Sequence, residues 1–339
     1  MTTDITLTAS DKPDAARKRR WLVVLVAIIA AAALAAGAAW FWLQERPAQV
    51  VEYKMLMPND IPTALAIAPD GTVWFSIDFS DAVGVLRDGK IQRIPKNGKN
   101  VDALGIGVDA GGNAWLTDSP AIAIRRVTPA GEVESFPLGT PIARLGRLAV
   151  APDGAVWFAE SSAYSITQLK DGKLTRHEIR SQRGGPYGVA VGADGTVWAS
   201  LQSANQIMRI APDGEIAEYD AITRSASPTD VAVDGKGVVW FLEFRANKIG
   251  RLEGGKVSEV EVPVQGAAVS GIAAAPDGSV WFGMLRAHAL GRLRDGKVRV
   301  FSLPRPDARP YSVAVDRAGN VWYADISGYV GMIPAAEAR

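Results

Sequence analysis

The sequence predicts an all-β protein, a seven-bladed β-propeller of four-stranded antiparallel blades, preceded by one N-terminal transmembrane helix. Seven tryptophans recur at intervals of 41 or 42 residues, and each follows a short apolar segment and a glycine-containing turn. Each complete repeat also ends in a segment that alternates polar and apolar residues. Four short strands in a repeat of this length are typical of propeller blades. The tryptophans are Trp74, Trp115, Trp157, Trp198, Trp240, Trp281 and Trp322.

The first 43 residues predict a cytoplasmic tail and a signal anchor. Residues 1–20 end in the basic run RKRR, and residues 21–43 are 23 consecutive uncharged residues. At about 1.5 Å per residue such a helix is long enough to cross a bilayer, and the basic run should stay in the cytoplasm. We therefore expect a single-pass protein of the cytoplasmic membrane, with the propeller of residues 44–339 outside the cytoplasm, in a periplasmic or extracellular location. A cleaved signal peptide is the alternative.

Within each repeat the four strands can be placed in order. The first strand leads into a turn such as APDG, and the tryptophan lies in the second strand. A third strand, as in NKIGRL at residues 247–252, is followed by a turn such as RDGK at residues 294–297. The fourth strand alternates polar and apolar residues, as in KVRVFSL at residues 297–303, with the period expected of an outer strand that has one solvated face.

The last repeat predicts how the ring closes. It ends after YVGMI at residues 329–333 and has no fourth strand. In complete repeats an apolar or aromatic residue of the fourth strand lies 21 positions before the next tryptophan, and Tyr53 lies 21 positions before Trp74. We therefore expect residues 50–57 to supply the outer strand of the last blade, which closes the ring and protects a sheet edge.

The chain has only two histidines, which are too few for a histidine-rich metal site. His177 occupies the register position that is Phe136 or Phe301 in other repeats, so we expect it to fill a packing position. His288 replaces Asn247 of the fifth repeat, in the loop between the second and third strands, and we expect a role in that turn.

The repeat resembles that of the virginiamycin B lyase (streptogramin lyase) family of seven-bladed propellers. Its form is PxGVAVxxDGxVWFxE followed by NKIGR, and the resemblance extends over about residues 48–335. That family opens the ester ring of a cyclic peptide antibiotic by elimination, with the help of a magnesium ion. The resemblance implies the same fold and, if activity is shared, a site built from histidine and glutamate side chains at one mouth of the channel.

At the positions that match this site, the sequence carries different chemistry. The two histidine positions match Ser270 and Tyr311, one glutamate position matches Arg309, and the other matches Asp325. A serine hydroxyl, or a tyrosine with its ordinary pKa near 10, is a poor base at neutral pH. If the chain is an enzyme, the resemblance implies Asp325 and Tyr311 as its catalytic residues.

Carboxylates recur three positions after the tryptophans and suggest a metal site. If they converged on the axis, they would bind a hard cation such as Mg²⁺ or Ca²⁺. The alternative is that they pair with nearby arginines and hold loops. The four carboxylates are Asp118, Glu160, Glu243 and Asp325. The arginines considered as partners are Arg147, Arg245, Arg286 and Arg309.

A second ring of residues lies 11 positions before the tryptophans, and it contains polar and aromatic side chains suited to a ligand. Two tyrosines there could stack on a ligand or donate hydrogen bonds to it. With Arg309 beside them, the candidate ligand-binding residues are Tyr187, Thr229, Ser270 and Tyr311.

Three hypotheses about function follow. We favour a non-catalytic propeller that binds a small molecule, a peptide or a cell-envelope component at its mouth, because the expected base is missing. The first alternative is a divergent metal-dependent lyase of the virginiamycin B lyase type. The second is a gluconolactonase-like metal-dependent lactonase, in which no histidine is required. The 37 basic and 36 acidic residues balance, so no basic face for nucleic acid is expected.

Overall fold

The computed structural model describes residues 49–96, 98, 104–181 and 184–338. They form 28 strands in seven four-stranded antiparallel sheets, which confirms the predicted seven-bladed propeller. Within this described part of the chain, no helix is long and apolar enough to span a bilayer. The predicted tail at residues 1–20 and anchor at residues 21–43 lie outside the described residues.

Six blades run from the channel outward in chain order, and the first strands of adjacent blades contact one another around the axis. The first strands are β2 (Ile61–Ile67), β6 (Ile106–Val108), β10 (Leu145–Val150), β14 (Pro186–Val191), β18 (Pro228–Val233), β22 (Val269–Ala274) and β26 (Pro310–Val315). The second strands are β3 (Val73–Asp78), β7 (Ala114–Asp118), β11 (Val156–Glu160), β15 (Val197–Leu201), β19 (Val239–Glu243), β23 (Val280–Met284) and β27 (Val321–Asp325).

The two outer positions of each blade are filled in the same way. The third strands are β4 (Ala82–Arg87), β8 (Ala123–Val127), β12 (Ser165–Lys170), β16 (Gln206–Ile210), β20 (Lys248–Glu253), β24 (Ala289–Arg294) and β28 (Tyr329–Ile333). The fourth strands are β5 (Lys90–Pro95), β9 (Val133–Pro137), β13 (Lys173–Glu178), β17 (Ile216–Asp220), β21 (Lys256–Glu261), β25 (Lys297–Ser302) and β1 (Val51–Lys54).

The last blade is completed by the first strand of the described chain. β1 pairs antiparallel with β28, with Val51 opposite Met332 and Lys54 opposite Tyr329. This strand lies within the segment 50–57 in which the sequence places it. Side chains reinforce the closure, because Glu52 accepts hydrogen bonds from the Tyr323 hydroxyl at 2.8 Å and from Arg305 Nε at 3.0 Å.

The hydrophobic core lies between neighbouring blades. For example, Ile207 of the fourth blade packs with Val231, Phe241 and Leu252 of the fifth blade, and all four are buried. The glycine in NKIGRL belongs to this packing, because a Cβ on Gly250 would lie 2.1 Å from the Phe241 ring. A side chain at this third-strand position would therefore displace the aromatic ring that fills the space between the blades.

The outer strand of most blades places a ring against the repeat tryptophan. His177 fills this position in the third blade, and its ring centroid lies 5.2 Å from that of Trp157. Its Nε2 atom is buried without a hydrogen-bond partner, and burial lowers the pKa of His177 below its ordinary value. The equivalent pairs are Trp115–Phe136, Trp198–Tyr219, Trp281–Phe301 and Trp322–Tyr53.

We expect His177→Phe to raise the free energy of unfolding by about 1 kcal/mol, because phenylalanine fills the same position without a buried unpaired nitrogen. Since the folded-state pKa of His177 is lowered, the wild type should lose stability as the pH falls below the unfolded pKa of roughly 6.5, and the variant should lose less. Urea unfolding at pH 5 and pH 8 measures both effects. Phe301→His, the reverse change in the sixth blade, should be destabilising, and a stabilising result would contradict the explanation.

The two ends of the propeller carry different connections. The loops from a fourth strand to the next first strand, and from a second to a third strand, lie at one end, which we name the mouth face. The turns between first and second strands, and between third and fourth strands, lie at the opposite end. β1 begins at the opposite end and finishes at the mouth face, since Lys54 lies opposite Tyr329 at the start of β28.

Candidate ligand site on the channel axis

Several first strands begin at the mouth face with a shift in strand register, which changes the direction of their side chains. The antiparallel register shifts between Pro186 and Val189, between Pro228 and Val231, and between Pro310 and Ser312. Such bulges place two residues opposite one and bend the strand. The shifted segments contain the predicted residues of the ligand set in blades four, five and seven.

A cavity of about 310 Å³ opens at the mouth face near the axis. It contains four of the five residues that the sequence predicts to bind a ligand, namely Tyr187, Thr229, Ser270 and Tyr311. The remaining lining residues are Arg147, Gln202, Asp230, Phe244, Val269, Gly271 and Leu285. Its volume is at the lower end of the range for small-molecule pockets, and most of its wall is apolar.

Two tyrosines from different blades meet in this cavity. The hydroxyl oxygens of Tyr187 and Tyr311 lie 3.1 Å apart, at hydrogen-bond distance. Burial raises the pKa of Tyr187 well above its ordinary value, although the nearby Arg147 guanidinium opposes the shift. The Tyr187 phenol therefore keeps its proton at neutral pH, and the pair is suited to hydrogen bonding and stacking rather than to proton abstraction.

An arginine and an aspartate form the charged part of the cavity. Arg147 is only 8% exposed, and its Nη1 donates to the Leu104 carbonyl at 2.9 Å. Its Nε lies 3.5 Å from Asp230 Oδ2 but makes no hydrogen bond. The guanidinium carbon also lies 5.4 Å from the Tyr311 ring centroid, within cation–π distance. Burial raises the pKa of Asp230 above its ordinary value, against the opposing effect of Arg147.

The ligand set predicted from sequence did not include Arg147 and Asp230, although a signal for them was present. Both lie ten positions before a repeat tryptophan, one position after the ring that was singled out. The other five repeats carry only small residues at this register: Ala64, Gly105, Gly188, Gly271 and Ser312. The two charged residues at a position that is otherwise alanine, glycine or serine are both among the residues that line the cavity.

The remaining members of the predicted ligand set have structural contacts. Ser270 Oγ donates to the Pro310 carbonyl at 2.6 Å and so connects the sixth blade to the seventh. Arg309 is exposed and does not line the cavity, and its backbone N–H donates to Asp325 Oδ1 at 2.9 Å. His288 lies in its loop with a positive φ of 52°, and its Nδ1 is 2.7 Å from the Ala308 carbonyl oxygen.

The four carboxylates that follow the tryptophans do not line this cavity. All are fully buried within their blades. Three of them form ion pairs with arginines other than those considered from sequence: Asp118 with Arg125, Glu160 with Arg176, and Asp325 with Arg305. The partners come from a third strand, a fourth strand and a loop. These pairs therefore hold the parts of each blade together.

Glu243 is the exception among these carboxylates. Neither of its carboxyl oxygens accepts a hydrogen bond, and its neighbours are Lys248 and Glu259, which pair with each other at 2.8 Å. Burial, followed by the negative charge of Glu259, raises the pKa of Glu243 to about 8. The residue is therefore largely protonated in the folded protein at neutral pH.

A magnesium ion is implied by the resemblance, but the residues at the matched positions do not fit one. Asp325 Oδ2 accepts from Arg305, and Asp325 Oδ1 accepts from the backbone of Arg309 and from both the backbone and the hydroxyl of Ser327. The carboxylate is thus surrounded by hydrogen-bond donors. Among the residues described, no group of three or more histidine, cysteine, aspartate or glutamate side chains is placed to hold a metal ion.

Comparison with known proteins agrees with the architecture. The chain is 33% identical over 156 residues to a virginiamycin B lyase of Nocardia farcinica (strain IFM 10152), a match that covers 45% of this chain and 52% of that protein. It thus spans about half the length of the curated relative. A solved streptogramin B lyase superposes with a TM-score of 0.80 at 25% identity and covers 84% of this chain and 97% of its own.

A catalytically inactive virginiamycin B lyase from Staphylococcus aureus, solved with quinupristin, superposes equally well. Its TM-score is 0.80 at 24% identity, and the match covers 84% of this chain and 98% of that one. Residues 44–204 and 148–338 both match the sequence model of the Virginiamycin B lyase family. These matches span the propeller from its first strand to its last. The chain therefore belongs to the virginiamycin B lyase family.

Proposed function

We propose that the chain is a membrane-anchored, extracytoplasmic binding propeller that takes a neutral, partly apolar, peptide-like ligand in the axial cavity. The observation that supports this proposal is the grouping of Arg147, Asp230, Tyr187 and Tyr311 in one mostly apolar cavity. The anchor is residues 21–43, whose uncharged length supports this role.

The charged pair favours a ligand without net charge. Arg147 and Asp230 neutralise each other at 3.5 Å, so a charged ligand would leave one of the three charges unbalanced in a mostly apolar cavity. The Arg147 Nε–H group, which has no hydrogen-bond partner, can donate to a carbonyl oxygen, and Asp230 can accept from an amide N–H. A peptide group offers both, and apolar side chains can contact Phe244 and Leu285.

A binding role is also favoured by the places of the histidines. His177 packs on Trp157, and His288 contacts the Ala308 carbonyl, so neither lines the cavity. The two matched positions carry Ser270, whose hydroxyl already donates to Pro310, and Tyr311, whose hydroxyl contacts Tyr187. At the positions where the resemblance implies proton removal, hydroxyl groups that form hydrogen bonds support a binding role.

A second candidate function, a divergent lyase, is favoured by Asp230. This is the only carboxylate among the cavity residues, and burial raises its pKa, which makes it a better base than an ordinary aspartate. In an ester elimination it would take the proton from the carbon beside the C–O bond. The C–H electrons would form the new C=C bond, and the C–O bond would break with its electron pair on the departing carboxylate. Arg147 would stabilise the negative charge on that leaving group.

Incubation of the purified full-length chain with a streptogramin B separates these candidates. We expect calorimetry to show saturable binding and mass spectrometry to show that the ring of the antibiotic stays closed. Tyr311→Phe should weaken binding by roughly fivefold to tenfold, because it removes a hydroxyl from the cavity. Tyr219→Phe is the matched control and should bind like the wild type, since Tyr219 packs on Trp198 in an outer strand, away from the cavity.

The outcomes assign the function as follows. If the wild type linearises the antibiotic and Asp230→Asn does not, the lyase is supported and the purely binding role is rejected. If Tyr311→Phe and Tyr219→Phe bind the antibiotic equally tightly, the ligand binds outside the axial cavity. If neither binding nor turnover is observed at millimolar streptogramin B, this class of ligand is rejected.

A further inference from the structure

The mouth face carries almost all of the exposed large apolar side chains in the described part of the chain. Seven of the eight belong to its loops, and only Val51 lies elsewhere. Ile142 is 68% exposed and Phe79 is 64% exposed, so these side chains are not partly covered core residues. The seven are Leu56, Met57, Phe79, Ile142, Tyr164, Ile222 and Phe244. Exposed apolar residues are usual when they are scattered singly, but the presence of seven of the eight at one end favours an interaction surface there.

The same loops carry exposed arginines that are not used in the fold. Their guanidinium groups form no ion pair with any described residue, although several of their backbone N–H groups do form hydrogen bonds. Three stand next to or near an exposed apolar residue in sequence, as in Ile142 and Arg144, Ile222 and Arg224, and Phe244 and Arg245. The six arginines are Arg144, Arg180, Arg224, Arg245, Arg286 and Arg309.

Acidic residues do not balance this charge. The described loops of the mouth face contain three acidic residues, and each of them is paired with an arginine of the propeller, although two of the three are exposed. Asp60 and Asp81 both pair with Arg93, and Asp307 pairs with Arg305. The described loops of the mouth face therefore carry a net positive charge, and the exposed carboxylates of Glu178, Asp220 and Glu261 lie further out, where the fourth strands end.

We propose that the mouth face is the docking surface for an acidic, partly apolar segment of another protein. Arginine and aromatic residues are the side chains enriched at the centres of protein–protein interfaces, whereas lysine is depleted there. The only lysine in the described loops of the mouth face is Lys96, which is buried. Arginine also pairs with carboxylates through two parallel hydrogen bonds, which suits aspartate and glutamate side chains.

This surface is distinct from the axial cavity in its chemistry. The cavity contains a balanced charge pair and favours a neutral group, whereas the surrounding arginines favour anions. Phe244 belongs to both, because it lines the cavity and is 41% exposed. An acidic segment across the mouth face would therefore lie over the cavity, so that the partner controls access to it.

Fluorescence anisotropy with a short labelled peptide tests the proposal. The peptide contains glutamate with interspersed leucine and phenylalanine, and two matched peptides replace either the glutamates by lysine or the apolar residues by serine. We expect the full-length chain to bind the first peptide at least tenfold more tightly than either matched peptide, with an affinity that falls as salt is added.

A charge-reversal variant identifies the surface. The triple variant R224E/R245E/R286E should weaken binding of the first peptide by at least about tenfold. The control is K236E/K256E/R317E, which reverses three exposed charges at the opposite end of the propeller and should bind like the wild type. Both variants should unfold at the same urea concentration as the wild type, because none of the six side chains forms an ion pair with a described residue.

Three outcomes would overturn the proposal. Equal loss of affinity in the two triple variants would show a general charge effect. Binding of polyphosphate or of vesicles rich in phosphatidylglycerol as tightly as the peptide would show an anion surface without preference for a polypeptide. Equal binding of the lysine or serine peptide would show that the acidic or the apolar residues of the first peptide are not recognised. Tyr311→Phe should leave peptide binding unchanged, so a failure of the cavity proposal and a failure of the docking proposal are distinguishable.

Discussion

Replacing Asp325 by alanine should lower the free energy of unfolding by about 3–5 kcal/mol. The carboxylate is fully buried at the end of β27, where it pairs with Arg305 and accepts hydrogen bonds from the backbone of Arg309 and Ser327. Alanine would leave the Arg305 guanidinium, which is only 16% exposed, without its one fully buried partner, while Glu52 and Asp307 would remain as its other partners. It would also leave two backbone N–H groups without acceptors.

Urea unfolding followed by tryptophan fluorescence measures this effect. Asp307→Ala is the matched control, because Asp307 pairs with the same arginine but is 71% exposed, and it should cost less than about 1 kcal/mol. Equal effects of the two changes would show that the buried network around Asp325 does not stabilise the closing blade. A loss of any ligand binding in Asp325→Ala must therefore be compared with the fraction of folded protein before Asp325 is given a role in a site.

Replacing Glu243 by leucine should have the opposite effect on stability and raise the free energy of unfolding by about 2 kcal/mol at pH 8. Glu243 is buried and neither of its carboxyl oxygens accepts a hydrogen bond, while Lys248 and Glu259 remain paired with each other when it is removed. Leucine already occupies the equivalent position of the fourth blade, at Leu201, where it is fully buried. The variant thus exchanges a buried carboxyl group, which is costly to ionise, for a leucine, which another blade already buries at the same position.

The pH dependence provides a sharper test. The folded-state pKa of Glu243 is raised to about 8 from an ordinary value of 4.5, so the folded protein binds this proton more tightly than the unfolded chain. The contribution of Glu243 to stability is therefore fully present below about pH 4.5 and is lost as the pH rises through 8. The wild type should lose stability across this interval, and Glu243→Leu should remove that slope.

The control for this second change is Glu132→Leu in an exposed turn of the second blade. It should shift stability by less than about 0.5 kcal/mol and leave the pH slope unchanged. If the wild type and Glu243→Leu show parallel pH profiles between pH 5 and 8, Glu243 is ionised at ordinary pH and the explanation fails.

The fold was predictable because it rests on a repeated period. The tryptophan spacing, the turns and the missing last strand define the number of blades and the source of the closing strand. Four of the five candidate ligand residues also reached one cavity, because the same register places Tyr187, Thr229, Ser270 and Tyr311 at the start of each first strand. Residues at the same position of each repeat lie at similar distances from the axis, so the position in the repeat predicts which side chains meet there.

The partners of the charged residues could not be predicted in the same way. Asp118, Glu160 and Asp325 share one register, yet they pair with Arg125, Arg176 and Arg305, which share none. Side chains on a strand alternate between two faces, and in a propeller both faces are covered by neighbouring blades. A carboxylate near the end of a second strand can therefore be buried between blades instead of facing the channel, and the nearest cation decides its role.

The closure of the ring has a consequence for the order in which this protein is made. Glu52 and Tyr323 are hydrogen-bonded partners that are 271 residues apart in the chain. At a synthesis rate of about 5–20 residues per second, β1 waits roughly 15 to 50 seconds before its partner strand exists. During this interval β1 is an unpaired edge strand, and the charged side chains of Glu52 and Lys54 protect it from pairing with other chains. The strand that closes the propeller is thus also the one that stays unpaired for longest during synthesis.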